Sequence, residues 1–173
     1  VSVLADAVAK GLPLDKEEVL KAMVSSSTIP YLDGTGEYME KGYVALDHNG
    51  SAASMTLEYA YDDWTIYHTA LLAGNRSVAD TYKKRAANYT NVFDTNMGYA
   101  RPRYADGRWK ENFNLLNTHG EGFIEGNALN YSFYVPQDVD NMIRLMGGEK
   151  SFVSKLDSLF TMHLAAEYFA QPE

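Results

Sequence analysis

Two kinds of helix alternate along this sequence, and the alternation constrains the fold more than any other feature. The stretch "SAASMTLEYAYDDWTIYHTALL", which begins at Ser51, is apolar around its whole circumference apart from Glu58, Asp62 and Asp63. A second stretch of this kind covers residues 125–134. Because a helix that is apolar on every side is buried in the interior of a protein, both stretches are predicted to be interior helices.

The other helices carry their apolar residues on one face only. In "DKEEVLKAMVSSS", Asp15 and Glu18 have the spacing of a capping box, and a single apolar stripe follows. Further one-sided helices are predicted over residues 77–93, from residue 138, and over residues 150–160. In the first of these, the lysines and Arg85 are expected to face solvent, as in a surface helix.

Alternation of interior and surface helices is typical of helical hairpins arranged in a ring, with the inner helices lining the centre. The predicted fold class is therefore all-α, as part of an α/α toroid, with an irregular helical bundle as the alternative. Residues 28–50 and 94–122 form long connections, which favours functional loops. Within the second, "YADGRW" has an Asp-Gly turn that suits a short hairpin. No linker divides residues 1–173, so one domain is predicted.

The charge and composition exclude several classes of function. A formal net charge of -8 and a pI near 5.0 argue against a nucleic-acid partner, because such a surface needs clustered Lys and Arg. No apolar window is long enough to span a bilayer. The lack of cysteine removes disulfides, thiolate nucleophiles and cysteine-based zinc sites. The four histidines have no metal-ligand spacing, so no metal site is predicted within this chain.

Three acidic residues interrupt the first interior helix. Glu58 and Asp62 stand at positions i and i+4, so their carboxylates share one face, and Asp63 lies beside them. A buried carboxylate must be paired, hydrogen-bonded, metal-bound or protonated. Structural hydrogen bonding and a polar cleft both fit this pattern. Arg101 and Arg103 are the predicted partners for some of these acids.

Glu125 has the most unusual setting in the sequence. Phe123, Ile124 and Leu129 predict a dry neighbourhood, which favours the neutral carboxyl and suits a general acid. A position at the start of a helix acts in the opposite direction, because the helix dipole stabilises a carboxylate. The residues alone leave both possibilities open. Four nearby aromatic side chains suit either stacking on sugar rings or packing in the core: Trp64, Trp109, Tyr131 and Tyr134.

Five blocks of the sequence resemble glycoside hydrolase family 92, the calcium-dependent exo-acting α-mannosidases. The blocks are "SVLADAVAKG", "SMTLEYAYDDW", "RPRYADGRW", "EGNALNYSFYVPQDV" and "LMGGEKSFVSKLDSLF", in the order and at about the spacing of the family. The resemblance covers the chain from end to end and implies part of the family's (α/α)6 toroid. Because neither end looks like that of a whole protein, we expect a central fragment of the toroid domain.

The resemblance implies an inverting exo-α-mannosidase that acts on mannose-containing glycans, and Glu125 matches the family's general acid. Five more residues in the matching blocks are candidates for substrate-binding or cleft positions: Asn127, Asp62, Asp63, Arg103 and Trp109. For Glu58, the favoured role is to brace the inner helices.

The family's calcium binds vicinal hydroxyl groups of the sugar. Its ligands and the general base belong to blocks that we expect beyond Glu173. The isolated chain is therefore predicted to be inactive, and its parent protein to be secreted or periplasmic. Inner helices left uncovered should allow self-association.

The block around Glu125 departs from the commoner family form at four positions: Leu129, Asn130, Phe133 and Gln137. These changes leave the linkage preference open and allow an alternative function, a non-catalytic carbohydrate-binding helical domain. A generic helical interaction domain would explain the apolar core, but not the acidic residues in otherwise apolar helices.

Overall fold

The computed structural model describes residues 1–165 of the chain. Helices dominate it, which confirms the all-α class. The helices are α1 (Ser2–Ala9), α2 (Lys16–Ser26), α3 (Thr35–Lys41), α4 (Ala52–Leu72), α5 (Arg76–Arg85), α6 (Ala128–Tyr131), α7 (Val139–Leu145) and α8 (Glu149–Thr161). A 3-10 turn covers Asn88–Val92, and the strands β1 (Phe93–Asp94) and β2 (Tyr99–Ala100) pair antiparallel.

Helix α4 is the centre of the fold. It packs against α1, α2, α5 and the 3-10 turn, and eleven of its 21 residues are buried, which confirms the predicted interior helix. One side stays open, since Glu58 and His68 are exposed and Leu72 is 49% exposed. The described residues therefore cover α4 only in part.

The one-sided helices begin close to the predicted positions. The Asp15 carboxylate accepts hydrogen bonds from the backbone N–H of Glu17 at 2.9 Å and of Glu18 at 3.1 Å, which caps α2. Asp138 caps α7 in the same way, through the N–H of Asn141 at 3.4 Å. The predicted hairpin is also present, because Arg103 and Trp109 form an antiparallel bridge around Gly107, whose φ is +87°.

One predicted helix ends earlier than expected, and one predicted connection contains a helix. The surface helix predicted over residues 77–93 ends at Arg85, and a 3-10 turn over Asn88–Val92 leads the chain into β1. The connection predicted over residues 28–50 contains α3, which buries Tyr38 completely. Glycines bound this short helix on both sides and obscure its pattern in the sequence.

The interior helix predicted over residues 125–134 is also wrong. Only the four residues of α6 are α-helical, and Glu125 lies before them with a φ of +52°. The cause is local, since Asn127 adopts an extended backbone and caps α6 with its side chain. Glu125 therefore lies on a loop.

Candidate active site

Glu125 lies on an exposed turn that directly precedes α6 and packs against the start of α4. Its side chain is exposed and Ile124 is 50% exposed, so the dry neighbourhood predicted from the sequence is wrong. Its positive φ is unusual for this residue type, because Asn and Asp tolerate the left-handed region far better than Glu does. Backbone strain of this kind is concentrated at functional sites.

The first turn of α4 holds the chain just before Glu125. The carbonyl of Gly122 accepts hydrogen bonds from the N–H groups of Ala53 at 2.9 Å and Ser54 at 3.2 Å. The Ser54 hydroxyl in turn accepts from the N–H of Ile124 at 3.0 Å. The first N–H groups of a helix have no partner within the helix. The loop before Glu125 therefore supplies a hydrogen-bond acceptor for the N–H groups at the start of α4.

Asn127 holds the chain just after Glu125. Its side-chain oxygen accepts from the N–H of Asn130 at 3.2 Å, and the Asn130 side chain accepts from the N–H of Asn127 at 2.9 Å. The Asn127 amide also donates to the carbonyl of Leu116 at 3.2 Å. The structure thus places Asn127, a predicted cleft residue, in a helix cap that fixes the turn of Glu125.

Glu58 and Asp62 share the open face of α4, as their spacing predicts. The Tyr131 hydroxyl donates to Glu58 Oε1 at 3.1 Å, which joins α6 to α4. Burial, together with the charges of Glu58 and Glu125, raises the pKa of Tyr131 to about 12. Burial also raises the pKa of Asp62. Glu58 and Glu125 therefore place negative charge next to Tyr131 of α6.

Asp63 points away from this face into the core. Its side chain is 1% exposed and forms an ion pair with Arg85 at 3.0 Å, and the Tyr38 hydroxyl donates to it at 2.8 Å. Burial raises the pKa of Asp63 to about 6, against the opposing charge of Arg85. These contacts favour a bracing role for Asp63 over a role in a cleft.

The sequence assigned the wrong arginines to these acids. Arg101 pairs with Asp94 at 3.0 Å, and Arg85, which was expected to face solvent, pairs with Asp63. One signal could have found this pair: Asp63 and Arg85 lie equally far along the chain from Gly74, so a helical hairpin that turns at Gly74 brings them together.

Arg103 and Trp109 stabilise the hairpin between β2 and the loop of Glu125. The Arg103 guanidinium lies 4.4 Å from the centre of the Trp109 ring and donates to the carbonyl of Gly107 at 3.0 Å. The adjacent Lys110 forms a largely buried ion pair with Glu121 at 2.9 Å, a contact that the sequence reasoning missed. It ties the hairpin to the loop that carries Glu125.

Within residues 1–165, no group of three or more His, Asp and Glu side chains is placed to hold a metal ion. No helix in the same range is long and apolar enough to cross a membrane.

The family model of the glycosyl hydrolase family 92 catalytic domain matches residues 1–172. The chain belongs to glycosyl hydrolase family 92. A family GH92 α-mannosidase from Bacteroides thetaiotaomicron, solved with mannoimidazole, is 34% identical with a TM-score of 0.91, over 95% of this chain and 22% of that one. A family GH92 inverting mannosidase from Bacteroides thetaiotaomicron VPI-5482 is 31% identical with a TM-score of 0.87, over 96% of this chain and 24% of that one.

A curated relative, an uncharacterized secreted glycosidase of Arthroderma benhamiae, is 26% identical over 196 residues, which cover 91% of this chain and 25% of that protein. The present chain thus spans about a quarter of the length of these relatives. Its likeness to the solved mannosidases confirms the expected fold class, part of an α/α toroid.

Proposed function

We propose that this chain is the acid-bearing part of an inverting exo-α-mannosidase that removes α-linked mannose from glycans. The observation that carries the proposal is the family 92 match, which extends over residues 1–172 and includes the loop of Glu125. The structural relatives described as an inverting mannosidase and as a mannosidase bound to mannoimidazole support the same reaction and substrate class.

Glu125 is the proposed general acid. Its turn is held at both ends, by Ser54 on one side and by the cap of Asn127 on the other, while its carboxyl group stays exposed. An exposed carboxyl on a fixed backbone can reach the glycosidic oxygen and donate a proton to it as the bond breaks. A second carboxylate activates water from the opposite face of the sugar in an inverting enzyme.

The general base and calcium are proposed to come from the parent protein outside this chain. Calcium would orient hydroxyl groups of the sugar when it is bound, and the roles proposed for residues 1–165 do not depend on it. We also propose that the parent is secreted or periplasmic, in line with the description of the Arthroderma benhamiae relative as secreted.

The proposal is tested on the full-length parent protein with α-linked mannobioses. Wild-type protein should release mannose, and a calcium chelator should reduce the release. Glu125→Gln should lower turnover by about a hundredfold to ten thousandfold, because the amide cannot donate the proton, and should largely keep glycan binding. Glu40→Gln, a change of the same type at an exposed position of α3, is the control and should act like wild type.

Three outcomes would contradict the proposal. Unchanged turnover in Glu125→Gln would remove Glu125 from the role of acid. Glycan binding without mannose release by folded wild-type protein would favour the non-catalytic carbohydrate-binding alternative. Calcium-dependent release of mannose by the isolated 173-residue chain would show that the base and the calcium ligands lie within it.

A further inference from the structure

An open cavity lies between α4 and α6, beside the turn of Glu125. Its volume is about 360 Å³, and it is lined by Glu58, Asn130, Tyr131 and Tyr134. Pockets for small molecules have volumes of roughly 300–1,000 Å³, so the cavity suits a single small ring with its substituents. The sequence suggested Tyr131 and Tyr134 as side chains that suit sugar stacking, but it did not place Glu58 or Asn130 beside them.

The cavity and the turn of Glu125 share one wall. A Cβ atom added to Gly126 would lie 3.0 Å from the Asn130 amide and 3.2 Å from the Tyr131 ring, so the backbone next to Glu125 packs directly on α6. The charge of Glu125 also contributes to the raised pKa of Tyr131. A molecule in the cavity would therefore lie close to the proposed acid.

The polar groups of the cavity suit hydroxyl groups. Glu58 Oε1 accepts from Tyr131, and Glu58 Oε2 makes no hydrogen bond to residues 1–165, which leaves a carboxylate oxygen to accept from a ligand. The Tyr131 hydroxyl stays protonated at neutral pH and keeps lone pairs that can accept. Nearby negative charge, from Asp62 as well as Glu58, disfavours anions such as phosphate.

The aromatic side chains supply the apolar wall that a sugar ring also needs. Tyr134 lies in edge contact with Tyr131, at 6.5 Å between ring centres, and with Tyr61, at 5.8 Å. Tyr134 is 38% exposed, so part of its ring is open to a ligand. A ring with a polar tip and an apolar face matches the mixed surface of a sugar.

We infer that Glu58, Tyr131 and Tyr134 form a subsite that binds hydroxyl groups of a sugar unit beside Glu125. The inference rests on the proposed function for the identity of the ligand, a neutral hexose unit of the glycan. It changes the role expected for Glu58, from a brace of the inner helices to a residue that binds substrate.

The test compares Glu58→Gln and Tyr131→Phe in the full-length protein, with Glu40→Gln as the matched control. Steady-state kinetics on α-mannobiose separate KM from kcat, and calorimetric titration of α-mannobiose into the Glu125→Gln background measures binding without turnover. Glu58→Gln should weaken binding and raise KM about tenfold or more, because a charged acceptor becomes a neutral amide. Tyr131→Phe should weaken binding less, and the melting temperature of Glu58→Gln should stay close to wild type, because Glu58 is exposed and the amide oxygen can still accept from Tyr131.

The outcomes distinguish a failure of the subsite from a failure of the proposed function. If wild type cleaves α-mannobiose while Glu58→Gln and Tyr131→Phe keep its KM and affinity, the subsite is wrong and the function stands. If wild type binds without cleavage and Glu58→Gln weakens that binding, the subsite stands and the function is wrong. If wild type neither binds nor cleaves, both are wrong. A fall in kcat alone, with unchanged affinity, would also overturn the subsite.

Discussion

At the scale of single residues, neighbouring acids on α4 have opposite environments. Glu58 and Asp63 are five positions apart, which turns their side chains roughly 140° from each other around the helix axis. Glu58 is exposed at the cavity, whereas the Asp63 carboxylate is buried against Arg85 and Tyr38. The position on the helix therefore separates a residue that can contact a ligand from one that joins α4 to α5.

Arg85→Ala should destabilise the chain by about 3 kcal/mol at neutral pH, because it leaves the Asp63 carboxylate buried without its partner. Without Arg85, the pKa of Asp63 in the folded state should rise further above about 6, while the unfolded value stays near 3.9. The difference from wild type should therefore shrink as the pH falls, since a neutral carboxyl needs no arginine. Urea unfolding at neutral and mildly acidic pH measures both effects.

Lys84→Ala, an exposed neighbour on α5, is the control for this prediction and should have little effect. An equal loss of stability from Arg85→Ala at every pH would show that the Asp63 charge is not the cause.

At the scale of elements, α6 depends on its surroundings. A helix of four residues has little stability of its own, because nucleation costs more than its few hydrogen bonds return. Three contacts outside the helical hydrogen-bonding pattern support it: the Asn127 cap, the Tyr131 hydroxyl on Glu58, and the Ser132 hydroxyl, which accepts from the N–H of Ala100 at 2.7 Å. Together they join the turn of Glu125 to both α4 and β2.

Asn127→Ala should reduce the free energy of unfolding by about 1 kcal/mol, because α6 loses its capping acceptor. Asn127→Asp should cost less, since it keeps the acceptor oxygen and loses only the donor to Leu116. Chemical denaturation of the two variants measures the difference, with the exposed Asn96→Ala as the control. Equal losses from Asn127→Ala and Asn127→Asp would mean that the cap is not what Asn127 contributes.

At the scale of the whole molecule, α4 is an inner helix with one side uncovered by the described residues. A groove of about 480 Å³ lies along this side, between α1 and the second half of α4. Trp64, Leu71 and Leu72 line it, and the two leucines are 41% and 49% exposed. An apolar surface of this kind favours contact with another apolar surface.

The isolated chain is therefore expected to self-associate through this groove as its concentration rises, although its net charge of -8 opposes close approach. Leu72→Lys should shift the population towards monomer by placing a charge in the groove. Val153→Lys, a matched change at an exposed position of α8, should not. Sedimentation velocity over a range of concentrations is the measurement, and a monodisperse monomer at all of them would refute the prediction.

The sequence by itself determined the features that depend on local order. The alternation of apolar patterns identified α4 as an interior helix, the Asp15 spacing located the start of α2, and the Asp-Gly pair located the hairpin. The blocks that resemble family 92 identified the family, which the comparison confirms. These features were readable because periodicity, caps and turns depend on residues a few positions apart.

Only the tertiary structure decided the surroundings of the acidic residues. Glu125 has apolar neighbours in sequence and yet is exposed, because Asn127 starts α6 after it and Ser54 holds the preceding loop. Asp63 pairs with Arg85 from the next helix, not with Arg101 or Arg103. Burial and pairing are set by contacts between distant parts of the chain, and the apolar pattern of one segment does not record them.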